Sequence, residues 1–80
     1  MLTFLLFKFP LFPSVELPRK IRQLVRDLEK AGWVLTHQKG SHRKFEHAKV
    51  RYAITISGNL GDDAHHYQER DVKKGLRDAQ

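Results

Sequence analysis

The chain has 80 residues, a formal net charge of +6 at pH 7, 40% hydrophobic residues and no cysteine. This length allows one small domain with a thin core, because domains commonly run to roughly 100–150 residues. The lack of cysteine excludes disulfide bonds, thiolate metal sites and thiolate nucleophiles. The positive charge favours a polyanionic partner such as nucleic acid, although charge by itself supplies affinity and not specificity.

The beginning of the chain differs from the rest. Residues 1–7 are almost entirely apolar, and Lys8 and two prolines then interrupt the run. The run is shorter than the roughly 20 apolar residues that a membrane-spanning helix needs, and it lacks the cationic start and the small-residue cleavage site of a secretory signal. We therefore expect residues 1–17 to be an apolar N-terminal extension outside the core, arising from a misassigned start codon or packing on a partner. Residues 18–80 then form the domain.

An amphipathic helix is predicted to begin near Pro18 and to end before Gly32. Four apolar residues recur there at the i, i+3, i+4, i+7 spacing of a helix that buries one face: Ile21, Leu24, Val25 and Leu28. Trp33, directly after the glycine, is predicted to pack. Basic residues cover the other side of the helix, where they either steer a substrate or form an ordinary solvated surface: Arg19, Lys20, Arg22 and Arg26.

Three short strands are predicted next, because aromatic and β-branched residues are concentrated in residues 33–38, 42–47 and 51–57. Turn formers separate them at residues 39–41 and 47–50. In the third strand, alternate residues are expected to join the buried face: Tyr52, Ile54 and Ile56.

The first turn decides which side chains face the core. A three-residue loop, with Gly40 at positive φ, pairs Leu35 with Phe45 on one face. A two-residue loop shifts this pairing by one position, and the sequence leaves both loops open. The first register sends three polar side chains of the second strand to the opposite face: His42, Lys44 and Glu46.

A second, shorter helix is predicted at the end of the chain. Residues 57–64 carry turn formers and acids and predict an irregular loop. Gly75 lies inside the helical segment and weakens it by about 1 kcal/mol relative to alanine. Asp62 and Asp63 are predicted to cap the positive end of this helix. Beyond the loop, three apolar residues recur at helical spacing: Val72, Leu76 and Ala79.

The predicted fold class is α+β. The order α-β-β-β-α allows both helices to cover one face of a three-stranded antiparallel sheet, which buries the apolar stripes and leaves the other face in water. Double-stranded-RNA-binding domains share this architecture, and it also fits other small α+β modules.

The segment 40–45, Gly-Ser-His-Arg-Lys-Phe, sets a titratable imidazole among fixed cations. RNA cleavage without a metal needs a base for the 2′-hydroxyl, an acid for the leaving oxygen and positive charge near the phosphorane. His42 can carry either proton, since the unperturbed pKa of histidine is roughly 6.5. Lys39, Arg43 and Lys44 can hold the phosphate. The alternative interpretation is an ordinary strand histidine beside a solvated rim of cations.

The other histidines are weaker candidates. His37 is a second proton carrier, an RNA contact or simply an exposed strand residue. His47 lies five positions from His42, so an undistorted strand points the two rings to opposite faces. His65 and His66 are adjacent on a loop and lack a carboxylate–histidine helix motif, which argues against a metal site. We therefore expect no metal and no cofactor.

Four motifs of this chain can be compared with known families: Leu28-Glu29-Lys30-Ala31-Gly32-Trp33, Gln38-Lys39-Gly40-Ser41-His42-Arg43-Lys44-Phe45, Ile54-Thr55-Ile56-Ser57-Gly58 and Gly61-Asp62-Asp63-Ala64. Together they resemble the HicA toxins of bacterial type II toxin–antitoxin systems, also called the YcfA/HicA family. Members are small messenger-RNA interferases with a double-stranded-RNA-binding-like fold. The resemblance covers roughly residues 18–80, and the Gly-Ser-His segment after a Gly-aromatic helix end is its most specific part.

The resemblance implies a toxin that cleaves mRNA without a metal, in the cytoplasm, with His42 as the single catalytic residue. It also implies that a HicB-type antitoxin neutralises the enzyme. The alternatives are a non-catalytic RNA-binding module of the same fold and a purely protein-binding domain whose charge only aids solubility. The residues expected to bind RNA are Lys39, Ser41, Arg43, Lys44 and His37.

Overall fold

The computed structural model describes residues 18–80; the predicted extension over residues 1–17 lies outside the described residues. The predicted order α-β-β-β-α is confirmed. No helix in this part of the chain is long and apolar enough to cross a membrane. The elements are α1 (Ile21–Lys30), β1 (Val34–Lys39), β2 (His42–Glu46), β3 (Ile54–Ser57) and α2 (His66–Asp78).

The first turn of α1 is held by the loop that precedes α2. The backbone N–H of Ile21 donates to the carbonyl of Asp62 (2.9 Å), and that of Arg22 donates to the carbonyl of Leu60 (3.0 Å). The first N–H groups of a helix have no partner within the helix, so these bonds satisfy donors that would otherwise need water or a capping side chain. The loop therefore fixes where α1 begins.

The prediction that the two aspartates cap α2 is wrong. Asp63 Oδ1 instead pairs with Lys20 Nζ at 2.6 Å, and Asp62 Oδ2 accepts from the N–H of Asn59. At the start of α2, the N–H of His65 donates to Gln68 Oε1 at 2.8 Å. The aspartates are near α2 in sequence, but folding brings their loop against α1.

The sheet has the order β1-β2-β3, and both pairs of strands are antiparallel. The turn between β1 and β2 contains two residues, Gly40 and Ser41, because Lys39 pairs with His42. Gly40 has φ of 59°, as the sequence predicts for the turn. This left-handed conformation is open to glycine without the steric cost that a Cβ would add.

A β-bulge in β1 makes the two-residue turn compatible with the pairing of Leu35 and Phe45, which the sequence predicts only for a three-residue turn. The register shifts between Leu35 and His37, so β1 contains one extra residue, Thr36, and Leu35 still pairs with Phe45. Leu35 is nevertheless 42% exposed, which contradicts its expected place in the core. All six residues of β1 are exposed, because the helices pack on β3, at the opposite edge of the sheet.

The core lies between the helices and one face of the sheet. Trp33 is 2% exposed and packs as predicted. β3 is shorter than expected, so Tyr52 precedes the strand and is half-buried at the margin of the core. Both helices, the sheet and the connection between α1 and β1 contribute apolar side chains that are at most 3% exposed: Ile21, Leu24, Leu28, Trp33, Phe45, Ile54, Ile56 and Val72.

Gly75 permits the close approach of α2 to the sheet. A Cβ at this position would overlap Ile54 Cδ1 and would lie 3.0 Å from Trp33 Cζ2. The residue that lowers the intrinsic stability of the helix therefore allows the helix to pack against the tryptophan.

Candidate functional site

The side chains of β2 alternate between the two faces of the sheet. Arg43 and Phe45 are buried on the helix side, whereas His42, Lys44 and Glu46 are exposed on the other side. This confirms the predicted separation, and it leaves the imidazole of His42 accessible on the face that the helices do not cover.

Cross-strand pairing places two rows of polar residues on this uncovered face. One row is Lys39, His42 and Ser57; the other is His37, Lys44 and Thr55. Residues directly opposite each other share a face, with Cβ atoms about 4.5–5.5 Å apart. We call these residues the open-face cluster. All of them are exposed except Ser57, which is half-buried.

Within the open-face cluster, His42 is held by one hydrogen bond. Its Nδ1 lies 2.6 Å from Ser57 Oγ. Within residues 18–80, Nε2 has no hydrogen-bond partner. The two ring nitrogens are chemically distinct, because the bond at one of them influences which of them carries the proton. One nitrogen is thus tied to the protein, and the other can meet a substrate.

Sequence reasoning missed Ser57 as part of the site. A serine at the end of a strand carries no functional signal by itself. Only the pairing of β2 with β3, which sets His42 opposite Ser57, brings the hydroxyl to the imidazole.

Arg43 does not join the open-face cluster: it lies on the opposite face of the sheet from Lys39 and Lys44, the residues beside which it was expected to bind RNA. Its side chain lies on the helix side, where the residue is 8% exposed. Its Nη1 donates to the carbonyls of Gly58 (2.8 Å) and Ser41 (3.2 Å). Arg43 therefore braces the β1–β2 turn against the end of β3.

Ser41 lies in that turn, directly before His42. It is half-buried, and its carbonyl also accepts from the N–H of Gly58 at 3.2 Å. Its backbone thus takes part in joining the turn to β3.

His37 lies diagonally across from His42 on the same face. It pairs with Lys44, whereas His42 pairs with Lys39 two positions along β1. Diagonal neighbours of this kind are about 7–8 Å apart, which long or aromatic side chains can bridge. The structure therefore brings the two histidines of the prediction together.

An acidic residue borders the open-face cluster on one side. Glu46 Oε2 lies 4.0 Å from Lys44 Nζ and accepts from Thr36 Oγ1 at 2.8 Å. This ion pair is exposed, and exposed ion pairs contribute little to the stability of a fold. Lys39, next to His42, makes no ion pair within residues 18–80, so the positive charge is least neutralised on the side of His42.

His47 has a structural role on another part of the domain. The N–H of Lys49 donates to His47 Nδ1 (3.0 Å), so Nδ1 is an acceptor and Nε2 can donate to the carbonyl of Ala31 (3.0 Å). The ring also packs on Trp33, with centroids 5.4 Å apart. His47 thus links the end of α1 to the chain beyond β2.

The adjacent histidines lie at the start of α2, where His65 directly precedes the helix and His66 is its first residue. His65 stacks on Tyr67, with ring centroids 5.8 Å apart. Among the residues that the structure describes, no three His, Asp or Glu side chains are grouped so that they can hold a metal ion.

The basic face of α1 is partly neutralised. Arg19 pairs with Asp27 at 2.6 Å, and Lys20 pairs with Asp63. The exposed Arg22, Arg26 and Lys30 make no ion pair with any residue in the described range, so these positions on the helix have positive charge available to a partner.

These observations define a class: a small α-β-β-β-α domain with an exposed histidine among lysines on the uncovered face of its sheet. A family model described as "HicA toxin of bacterial toxin-antitoxin" matches residues 21–80. The chain therefore belongs to the HicA toxin family, which confirms the resemblance seen in its motifs and supports a toxin role with an antitoxin partner. Comparisons with curated proteins and with solved structures found no match.

Proposed function

We propose that this toxin is a metal-independent mRNA endoribonuclease in which His42 is the catalytic residue. The observation that carries the proposal is the position of His42: it is exposed, it lies in one row with Lys39 and next to Lys44, and the helices leave this face uncovered. Phosphate is attracted to such a surface, and histidine can transfer protons there near neutral pH.

The proposed reaction uses the 2′-hydroxyl of RNA as the nucleophile. His42 Nε2 takes the hydroxyl proton, the 2′-oxygen bonds to phosphorus, and the bond from phosphorus to the 5′-oxygen breaks. A proton then goes to the 5′-oxygen, so the products are a 2′,3′-cyclic phosphate and a 5′-hydroxyl. The ammonium groups of Lys39 and Lys44 stabilise the charge that develops on the phosphorane oxygens.

His37 is the candidate for the second proton carrier or for an RNA contact. Its diagonal relation to His42 would place the two imidazoles on either side of a phosphodiester that lies across β1 and β2. Ser41, in the turn beside His42, would contact the RNA backbone. Arg43 would act indirectly, because its guanidinium is engaged by carbonyl groups.

We propose a HicB-type protein as the antitoxin, acting in the cytoplasm where mRNA is found. An antitoxin that covers the open-face cluster would block access to His42. The exposure of β1 and of alternate residues of β2 supports this, since the surface needs no rearrangement before a partner binds.

The test compares His42→Ala with His66→Ala, a matched loss of an exposed histidine at the start of α2. Each protein, freed of its antitoxin, is given a labelled mRNA fragment in the presence of EDTA. We expect His42→Ala to lower the cleavage rate by about 10²–10⁴-fold, the usual range for a general acid–base group. Its RNA affinity and melting temperature should stay nearly unchanged, and His66→Ala should cleave like the unmodified protein.

Other outcomes would contradict the proposal in distinguishable ways. RNA binding by the unmodified protein without cleavage would favour the non-catalytic RNA-binding module. Cleavage that EDTA abolishes would refute the metal-independent chemistry, and full activity in His42→Ala would assign the proton transfer to another group.

A further inference from the structure

We propose that Ser57 is a positioning residue that holds the proton of neutral His42 on Nδ1 and so leaves Nε2 free to act as a base. The assignment of this proton to Nδ1 rests on the proposed function, in which Nε2 acts as the base, but the tautomer itself can be measured without RNA.

The strand register brings the two side chains close together. Gly58 N–H donates to the carbonyl of Ser41, and hydrogen-bonded pairs alternate with non-hydrogen-bonded pairs along an antiparallel ladder. The next pair, His42 and Ser57, is therefore of the non-hydrogen-bonded kind, in which side chains approach most closely. The resulting distance of 2.6 Å between Nδ1 and Oγ is that of a short hydrogen bond.

The end of β3 is fixed from the opposite side by a buried amide. Gln68 is 1% exposed, its Nε2 donates to the carbonyl of Ser57 at 2.8 Å, and its Oε1 accepts from the N–H of His65 at 2.8 Å. Both ends of this amide are thus satisfied, as a buried polar group requires.

Arg43 fixes the next residue in the same way, through its bond to the carbonyl of Gly58. Two buried side chains therefore tie two consecutive carbonyls, and the backbone that carries the Ser57 hydroxyl is held in place. Such support for a group that orients a reactive side chain is what a precise site needs.

The proposed role of Nε2 as the base decides which of His42 and Ser57 donates in this hydrogen bond. A neutral imidazole carries one proton, and a base at Nε2 requires that proton to be on Nδ1. Ser57 Oγ would then accept from Nδ1–H, which opposes the preference of free neutral histidine for the Nε2–H form. When Nε2 takes the proton of the 2′-hydroxyl, the ring becomes cationic and the bond to Ser57 becomes charge-assisted and stronger.

The direct test is the tautomer of His42, read from the ¹⁵N chemical shifts of its ring nitrogens at a pH where the ring is neutral. We expect the unmodified protein to carry the proton on Nδ1 and Ser57→Ala to shift it towards Nε2. Thr55→Ala is the matched control, because Thr55 lies on the same face of the same strand and should leave the tautomer unchanged. A predominantly Nε2–H ring in the unmodified protein, or the same tautomer in Ser57→Ala, would overturn the proposal.

The catalytic test measures single-turnover cleavage by variants of Ser57. Ser57→Ala should lower the rate by about tenfold, which corresponds to roughly 1.4 kcal/mol, with RNA affinity unchanged. Ser57→Thr retains the hydroxyl and should restore most of the rate. In the His42→Ala background, Ser57→Ala should have no further effect, since Ser57 acts only through the imidazole.

The two proposals fail differently. If the protein does not cleave RNA but Ser57→Ala moves the proton, the nuclease function is refuted and the positioning role stands. If His42→Ala abolishes cleavage while Ser57→Ala changes neither tautomer nor rate, the positioning role alone is refuted.

Discussion

The two faces of the sheet come from the same three strands, yet they differ in almost every physical property. The helix side holds Phe45, Ile54 and Ile56, each at most 3% exposed. The other side carries the open-face cluster, which is polar, cationic and largely exposed. Consecutive residues of β2 therefore have different roles, since a buried residue stabilises the fold and the next, exposed residue is available to a partner.

Substitutions on the helix side should therefore change mainly the stability of the fold, and substitutions on the other side should change mainly the proposed chemistry. An apolar side chain removed from the covered face leaves a cavity, whereas a charge removed from the uncovered face changes mainly the electrostatic potential. The degree to which the two faces are independent can be measured.

The largest effect is expected from comparing neighbours on β2. Phe45 is fully buried, so Phe45→Ala should lower the free energy of unfolding by about 3–5 kcal/mol. Lys44→Ala, one residue away on the exposed face, should change it by no more than about 0.5 kcal/mol, while weakening RNA binding more at low salt than at high salt. Denaturant unfolding and RNA titrations measure both. A comparable loss of stability in Lys44→Ala would break the separation of the faces.

An intermediate effect is expected at the contact between α2 and the covered face. Gly75→Ala gains about 1 kcal/mol of helix propensity, but its Cβ would meet Ile54 and Trp33, and overpacking costs typically about 1–3 kcal/mol. We therefore expect a net destabilisation of up to about 2 kcal/mol.

A double-mutant cycle with Ile54→Val provides the control for Gly75→Ala, because valine lacks the Cδ1 atom that the new Cβ would overlap. The valine should restore part of the stability lost by Gly75→Ala, so that the two losses are less than additive. Strictly additive losses would show that this contact does not limit the approach of the helix.

The smallest effect concerns the margin of the covered face, where Tyr52 and Lys74 bind Asp78. Tyr52 Oη donates to Asp78 Oδ2 at 2.6 Å, and Lys74 Nζ lies 3.0 Å from the same oxygen. These bonds, first that of Tyr52 and then that of Lys74, hold the pKa of Asp78 below its ordinary value of 3.8.

A lowered pKa in the folded state means that the carboxylate stabilises the fold above pH 3.8 and that this contribution is lost as the pH falls through the folded-state pKa. We expect Asp78→Asn to be slightly less stable than the unmodified protein at neutral pH. The difference should vanish when the pH falls below the pKa of Asp78 in the folded protein. Paired unfolding measurements at several pH values test this. A difference that is independent of pH would show that the carboxylate charge is not responsible.

Much of the fold was predictable because its signals are local. The helical spacing from Ile21 to Leu28 and the alternation of His42, Arg43 and Phe45 depend on the geometry of a single element. The exposure of His42 followed directly, since a strand with one covered face must turn alternate residues to water.

Other features depend on contacts that no single segment contains. The bulge in β1 decided which residues pair with β2. The two aspartates before α2 contact the start of α1 instead, since the carbonyl of Asp62 accepts from the N–H of Ile21 and the carboxylate of Asp63 pairs with Lys20. Arg43 was expected to bind RNA, although the alternation along β2 already predicts that its side chain faces the helices; what the tertiary contacts add is the carbonyl of Gly58, which accepts its hydrogen bond.

The sequence by itself determined the element types, the exposed imidazole and the resemblance to HicA toxins, because side-chain periodicity and short motifs are written in consecutive residues. Only the tertiary structure decided that Ser57 meets His42, that His37 and Lys39 share its face, and that Gln68 braces the end of β3. The physical reason is that strand register and helix docking are set by the packing of the whole core, and a shift of one residue would exchange the two faces.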